Sequence, residues 1–202
     1  MAPEDPPHPP AAAEPFGLLF VCTGNICRSA TAEAIARREL ARYPGVALRV
    51  SSAGSHALEG NPAASRSVVA AAARGANLER HHARELTRRR VRAANLVLCM
   101  AAEHRPFVLA YDRSAAARTF LFAAFARAAV QWEWLASSPA ELVELAAKHA
   151  RELPGDDVED PLGHQAERYE ACAERLDSLV TPVIAALAKT LPIGPVDRSP
   201  SW

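Results

Sequence analysis

The sequence lacks the features that mark several common classes of protein. Its 202 residues include 23 basic and 23 acidic side chains, so the formal net charge is zero and no nucleic-acid partner is indicated. No apolar run reaches the 18 residues that suggest a membrane span. The four cysteines have unmatched spacings, unlike a secreted disulfide framework. We therefore expect a cytoplasmic protein that binds neither nucleic acid nor membrane.

Both ends of the chain lack the pattern of an ordered element. Residues 1–16 are rich in proline and alanine, without the basic region and apolar core of a secretory signal. We expect a disordered tail there and a second, loose tail over residues 192–202. Residues 17–191 are long enough for one α/β domain, since half of the whole chain is hydrophobic.

The most informative segment begins as an apolar strand that ends at Cys22. Arg28 follows after five residues and stands directly before a helix-forming run. A loop that turns its N–H groups inward, at the N-terminus of a helix, forms an anion cradle. Such a cradle stabilises a thiolate at Cys22, and the planar fork of Arg28 suits two phosphate oxygens. The pattern predicts a phosphate site with a nucleophile built in.

The smaller residues of this loop fit the same interpretation. Gly24 allows a tight turn, and Asn25 tolerates a positive φ. Ser29 is placed to cap the next helix and to hydrogen-bond the thiolate. The alternative is that Cys22 is a buried strand cysteine without chemistry, which is usual for a lone thiol. The strand before the loop and the helix after it favour the catalytic interpretation.

Residues 21–29, VCTGNICRS, resemble the signature loop of the low-molecular-weight protein tyrosine phosphatases. The resemblance implies that Cys22 is the nucleophile and Arg28 the phosphate clamp. It implies a general acid directly before a proline, which Asp160 and Pro161 supply, with Asp156 and Asp157 as rival acids. The loop residues implied to bind phosphate are Thr23, Gly24, Asn25, Ile26, Cys27, Arg28 and Ser29.

The resemblance also implies supporting residues around the loop. Asn25 and Ser29 are expected to join Ser52 and His81 in a network that holds the loop's shape, with His82 as the competing histidine. Cys27 is expected to act as a redox partner that forms a reversible disulfide with Cys22. The alternative for Cys27 is simple packing. No metal or cofactor is expected, because Arg28 and the loop amides supply the positive field.

The order of elements predicts an α/β domain with a parallel sheet and helices on both faces. The resemblance implies four strands, with the phosphate-binding loop after the first. Further strands are predicted at 46–50, 95–100 and 119–121. Helices are predicted at 32–42, 60–75, 101–110, 122–149 with a break at 137–139, and 165–191 with a kink or break at Pro182.

The expected reaction is a two-step phosphoryl transfer through a phosphocysteine, with Asp160 as acid and then base. The expected substrate is a protein phosphotyrosine or a small aryl phosphate. Two features depart from the family pattern. Ala30 stands where proline is usual, and Leu58 and Leu162-Gly163 stand where tyrosine-specific members usually carry aromatic side chains.

Three alternatives remain open. A branch that hydrolyses phosphoarginine resembles the loop but carries threonine where this chain has Ile26, so Ile26 favours tyrosine. Arsenate reduction on the same scaffold uses a downstream cysteine pair, for which only Cys99 and Cys172 are available. A non-catalytic phosphate-binding module is disfavoured because the nucleophile, arginine and acid are all present. The sequence indicates neither the physiological substrate nor the oligomeric state.

Overall fold

The computed structural model describes residues 14–192. Four parallel strands form one sheet in the order β2-β1-β3-β4, which confirms the predicted α/β fold class. Both predicted tails, except for residues 14–16 and Pro192, lie outside the described residues. The strands are β1 (Phe16–Cys22), β2 (Leu48–Gly54), β3 (Leu96–Cys99) and β4 (Thr119–Leu121).

Strand β1 is central because nearly every one of its residues is apolar, and a parallel strand covered on both faces needs that composition. Leu18 and Phe20 pack on one face, and Leu19 and Val21 pack on the other. Helices therefore cover both faces of the sheet.

The helices vary widely in length. They are α1 (Arg28–Leu40), α2 (Ser65–Ala72), α3 (Arg88–Arg92), α4 (Arg105–Tyr111), α5 (Phe122–Trp132), α6 (Pro139–His149) and α7 (Ala166–Thr190), with 3-10 turns at Ala102–His104, Arg113–Arg118 and Glu133–Leu135. The break predicted within 122–149 is present. Helix α5 ends at Trp132, and α6 begins at Pro139 with Ser138 as its N-cap. Helix α7 continues through Pro182 without a break. No helix within residues 14–192 has the length and apolar character needed to cross a bilayer.

Helices α1 and α2 begin at positions that differ from the predicted ones, and both differences concern the loop after β1. Helix α1 begins at Arg28 rather than residue 32, so its N-terminal amides form part of that loop. Helix α2 begins at Ser65 rather than residue 60, because Gly60 and Asn61 bond to Ala83 and Ala64 bonds to the loop instead. The N–H of Ala64 donates to the carbonyl of Ile26 at 2.9 Å.

The strand order places the end of β1 at a topological switch point. Strand β2 lies on one side of β1 and β3 lies on the other, so the connections leave β1 and β3 in opposite directions. Ligands bind at such points in open parallel sheets. Gly54, at the end of β2, allows close packing there, since a Cβ would lie 2.4 Å from the carbonyl oxygen of Thr23.

Candidate active site

The loop after β1, residues 22–29, is called the cysteine loop, and it turns its carbonyl groups outward. Five successive carbonyls accept hydrogen bonds from outside the loop. The donors to residues 22, 23, 24, 25 and 26 are Ser55 N (2.9 Å), His56 N (3.0 Å), Leu58 N (3.3 Å), His81 Nε2 (2.7 Å) and Ala64 N (2.9 Å). In a trans peptide the N–H points opposite to the carbonyl. The N–H groups of residues 23–27 therefore face the centre of the loop.

Cys22 lies at the floor of this ring of amides and is buried. Its Sγ accepts a hydrogen bond from the N–H of Asn25 at 3.3 Å and lies 2.9 Å from the hydroxyl oxygen of Ser29. Donors at both positions stabilise a thiolate.

Asn25 fixes the direction of these hydrogen bonds. Its φ of 55° is the left-handed conformation that asparagine tolerates. Its side-chain amide donates to Ser29 Oγ at 2.9 Å and to Ser52 Oγ at 2.8 Å, and its Oδ1 accepts from the N–H of Arg84 at 2.8 Å. Because Ser29 Oγ accepts from Asn25, the hydroxyl proton of Ser29 is free to donate to Cys22.

Glu33 and Arg84 complete this network, and sequence reasoning did not identify either residue. Ser52 donates to Glu33 Oε2 at 2.6 Å, and Arg84 donates to the same oxygen. The other oxygen of Glu33 accepts from Arg37 at 2.6 Å. Glu33 lies on the buried side of α1, and a buried carboxylate requires hydrogen-bond donors. A glutamate on the apolar side of the predicted helix was therefore the one sign in the sequence of this network.

His81 and His82 lie in different surroundings. His81 is half-buried and donates from Nε2 to the carbonyl of Asn25, and burial lowers the pKa of its imidazole. His82 is exposed and lies 3.1 Å from the carbonyl of Gly60. Of the two, His81 is the one that contacts the cysteine loop.

Arg28 lies beneath the loop with its side chain 4% exposed. Nη1 donates to the carbonyl of Val158 at 3.3 Å, and Nη2 donates to Asp160 Oδ2 at 2.5 Å. Its buried Nε has no acceptor within residues 14–192. A buried guanidinium N–H requires an acceptor, and an anion in the loop would supply one.

Asp160 reaches the site from an irregular segment, residues 150–165, called the aspartate loop. Its side chain is 43% exposed, and Oδ1 accepts from the N–H of Leu162 at 3.1 Å. The rival carboxylates have other partners. Asp156 is buried and bonded to Arg127, whose hydrogen bonds lower the pKa of Asp156. Asp157 accepts from the N–H of Ala102 at 2.9 Å.

A cleft of about 220 Å³ opens above the cysteine loop. Its floor includes Cys22 and Arg28, and its rim includes Leu58, Leu162 and Asp160. The ring of His56, which sequence reasoning did not single out, also lines the rim and packs edge-on against Phe107 at 4.8 Å. The opening is therefore largely apolar around an anion-binding floor.

All four cysteines are free thiols. Cys27 lines the cleft floor beside Cys22, and burial raises the pKa of its thiol to about 11. Burial raises the pKa values of Cys99 and Cys172 to about 12. These two thiols pack in separate clusters, on opposite faces of the sheet.

Comparison with known proteins gives one consistent family. A family model described as low molecular weight phosphotyrosine protein phosphatase matches residues 17–149. The low molecular weight protein-tyrosine-phosphatase Etp of Escherichia coli (strain K12) is 42% identical over 105 residues, which cover 52% of this chain and 68% of Etp. Asp160 lies beyond the segment that the family model matches.

Two further relatives extend past that segment. The protein-arginine-phosphatase of Geobacillus stearothermophilus is 27% identical over 166 residues, which cover 82% of this chain and 92% of the relative. The crystal structure of a low molecular weight protein tyrosine phosphatase from T. tengcongensis has a TM-score of 0.67 and 31% identity, and the match covers 84% of this chain and 98% of that one. Similarity to these phosphatases therefore spans most of the described residues.

Proposed function

Because the chain belongs to the low-molecular-weight phosphotyrosine protein phosphatase family, we propose that it hydrolyses phosphotyrosine-type phosphomonoesters through a phosphocysteine intermediate. The observation that best supports this mechanism is the inward orientation of five loop amides around the Cys22 thiol. That arrangement suits three phosphate oxygens and the sulfur that attacks phosphorus.

In the first step, the Cys22 thiolate attacks phosphorus in line with the leaving oxygen. The N–H of Asn25 and the hydroxyl of Ser29 hold the thiolate. The loop amides and Arg28 bind the three equatorial oxygens, over which the charge of the transition state is spread. The P–O bond to the leaving group breaks as the S–P bond forms, and Asp160 gives its proton to the leaving oxygen.

In the second step, a water molecule attacks the phosphocysteine. Asp160, now a carboxylate, accepts a proton from that water. The S–P bond breaks, which returns the Cys22 thiolate and releases inorganic phosphate. Asp160 pairs with Arg28 in the free protein, so the incoming phosphate takes its place as the acceptor for Arg28. No metal or cofactor takes part in this proposal.

The proposed substrate is a phosphorylated tyrosine of a protein, or a small aryl phosphate, in the reducing cytoplasm where Cys22 stays a free thiol. Leu58, Leu162 and the ring of His56 offer apolar contacts to an aryl group.

Phosphoarginine is the second candidate substrate, because the protein-arginine-phosphatase relative aligns over 82% of this chain. It would use the same Cys22 and Arg28. Arsenate reduction is disfavoured, since Cys99 and Cys172 pack on opposite faces of the sheet with pKa values near 12. Two thiols separated by the sheet cannot form the disulfide that such a relay needs, whereas Cys27 lines the same cleft as Cys22.

We also propose that Cys27 protects Cys22 from over-oxidation. A peroxide converts Cys22 to a sulfenic acid, and the Cys27 thiol displaces water from it to form a disulfide. A small thiol then reduces the disulfide. Peroxide inactivation of the wild type should be reversed by dithiothreitol. In Cys27→Ser a second peroxide oxidises the unprotected sulfenic acid to sulfinic acid, so a larger part of the loss should be irreversible. Equal recovery in both proteins would refute this role.

The deciding experiment is hydrolysis of para-nitrophenyl phosphate by wild type and Cys22→Ser, with phosphotyrosine and phosphoarginine at matched concentrations. We expect Cys22→Ser to lose at least about 10⁴-fold in kcat, as nucleophile removal does elsewhere, and phosphotyrosine to be the better substrate. A preference for phosphoarginine would keep the mechanism and reverse the specificity. A wild type that binds phosphate but hydrolyses none of the three would be a binding module.

A further inference from the structure

A buried histidine lies behind the cysteine loop, outside the mechanism described above. His104 ends the 3-10 turn Ala102–His104 that follows β3, and it is 1% exposed. Its Nδ1 accepts a hydrogen bond from the N–H of Ala101 at 3.0 Å. Its Nε2 lies 3.1 Å from the hydroxyl oxygen of Thr23. The ring therefore connects the end of β3 to the second residue of the loop.

These contacts determine the tautomer of His104. A nitrogen that accepts from a backbone N–H carries no proton, so the proton of the neutral ring is on Nε2. That nitrogen donates to Thr23 Oγ1. Glu103 Oε1 is a longer contact, at 3.5 Å from Nε2, on a side chain that is mostly exposed. Burial and the charge of Arg28 both lower the pKa of His104, which favours the neutral ring.

The hydrogen bond from His104 restricts the direction in which the hydroxyl proton of Thr23 can point. Its oxygen accepts from His104 Nε2 and, at 3.3 Å, from Arg28 Nη2. Two donors use both lone pairs of a hydroxyl oxygen, so its own proton points elsewhere. Thr23 lines the cleft, where an oxygen of a bound phosphate is the acceptor that suits this proton.

We propose that His104 is a positioning residue that orients the hydroxyl of Thr23 as a donor to bound phosphate. The contribution to turnover rests on the phosphatase activity proposed above. The contribution of His104 to phosphate binding does not depend on that activity, because phosphate affinity is measurable without turnover.

Two substitutions test the contributions of the two ring nitrogens of His104 independently. In His104→Asn the side-chain oxygen replaces Nδ1, so the contact with Ala101 is kept and the donor to Thr23 is lost. In His104→Gln the side-chain amide replaces Nε2, so the donor to Thr23 is kept. Thr23→Val removes the hydroxyl itself. The Kd for inorganic phosphate is measured by calorimetry, kcat and KM with para-nitrophenyl phosphate, and folding by thermal unfolding.

We expect His104→Asn and Thr23→Val each to raise the Kd for phosphate by about 10- to 100-fold, the range for one hydrogen bond to a charged group. His104→Gln should stay within about threefold of wild type. Because His104 acts through Thr23, adding His104→Asn to Thr23→Val should cause little further loss.

Equal loss in His104→Asn and His104→Gln would overturn the proposal, as would wild-type affinity in His104→Asn or fully additive losses in the double variant. If the wild type hydrolyses no substrate, the proposed function fails, while the phosphate affinities still decide the role of His104.

Discussion

The two loops that meet at the cleft are held in different ways. In the cysteine loop, Asn25 and Ser29 are completely buried, and their side chains belong to a network that reaches Glu33. In the aspartate loop, the side chain of Asp160 is 43% exposed and contacts the cysteine loop through an ion pair with Arg28. The cysteine loop is fixed by many buried contacts, whereas the half-exposed carboxylate of Asp160 is held to that loop by its ion pair with Arg28.

This difference matches what each loop has to do in the proposed reaction. The anion cradle gains from rigidity, because preorganised donors need no rearrangement as charge develops. Asp160 has to exchange Arg28 for the leaving group and then for water. The aspartate loop is still anchored away from its tip, by the N–H of Val158 on the carbonyl of Met100 at 2.7 Å and by the pair of Asp156 with Arg127.

The largest expected effect within this comparison comes from Asp160→Asn. We expect kcat for phosphotyrosine to fall by about 10²- to 10⁴-fold, because the acid is lost. The same change removes the carboxylate that competes for Arg28, so inorganic phosphate should bind several-fold more tightly. Steady-state kinetics and the inhibition constant for phosphate measure the two effects. Weaker phosphate binding would show that Asp160 does not compete with phosphate for Arg28.

Glu33→Gln tests the buried network that holds the cysteine loop, with Glu39→Gln as its matched control. Both glutamates are buried on α1 and paired with arginines, but Glu39 pairs with Arg38 and Arg42 and makes no hydrogen bond to the loop network. Each substitution should reduce the free energy of unfolding by about 1 to 3 kcal/mol. Only Glu33→Gln should also weaken phosphate binding, by about tenfold. Equal phosphate affinity in the two variants would contradict the role of Glu33.

The anchor of the aspartate loop gives a pH-dependent prediction. The pKa of Asp156 is lowered in the folded protein by its hydrogen bonds to Arg127, so its stabilising effect is present above the unfolded pKa of about 4 and is lost as the pH falls through the lower, folded value. Asp156→Asn should therefore cost about 1 kcal/mol at pH 7, a value reduced because Arg127 is partly exposed. The difference from wild type should shrink below pH 4. Urea unfolding between pH 3 and 7 measures it, and a constant difference would exclude this cause.

The sequence was informative where the site is local and less so where it is not. The cysteine loop, the strand before it and the helix after it are contiguous, so the spacing of Cys22 and Arg28 together with the flanking patterns predicts an anion-binding loop there. Asp160, Ser52 and His81 came from family resemblance, because nothing local connects them to Cys22. Glu33, Arg84 and His104 were missed because each acts through a partner whose position depends on how separate elements pack. The early part of the predicted helix at 60–75 is wrong for the same reason, since Ala64 bonds to the cysteine loop and Gly60 and Asn61 bond to Ala83.

The smallest expected effect concerns the cleft rim, to which each loop region contributes one exposed leucine. Leu162 belongs to the aspartate loop, and Leu58 lies after β2 with its N–H on the carbonyl of Gly24. An aromatic side chain at either position would contact a substrate ring, worth about 0.5 to 1.5 kcal/mol or roughly 2- to 12-fold in KM for phosphotyrosine.

The comparison predicts which leucine gives the larger effect. Leu58→Tyr lies on the rigid side, so its ring is held in place and should lower KM for phosphotyrosine more than Leu162→Tyr does. Leu162 lies on the loop with fewer buried contacts, where fixing a side chain on binding offsets part of the gain. Phosphoarginine provides the reference, since it carries no ring and its KM should change less than that of phosphotyrosine. A larger gain from Leu162→Tyr would mean that the aspartate loop is as firmly held as the loop that carries Cys22.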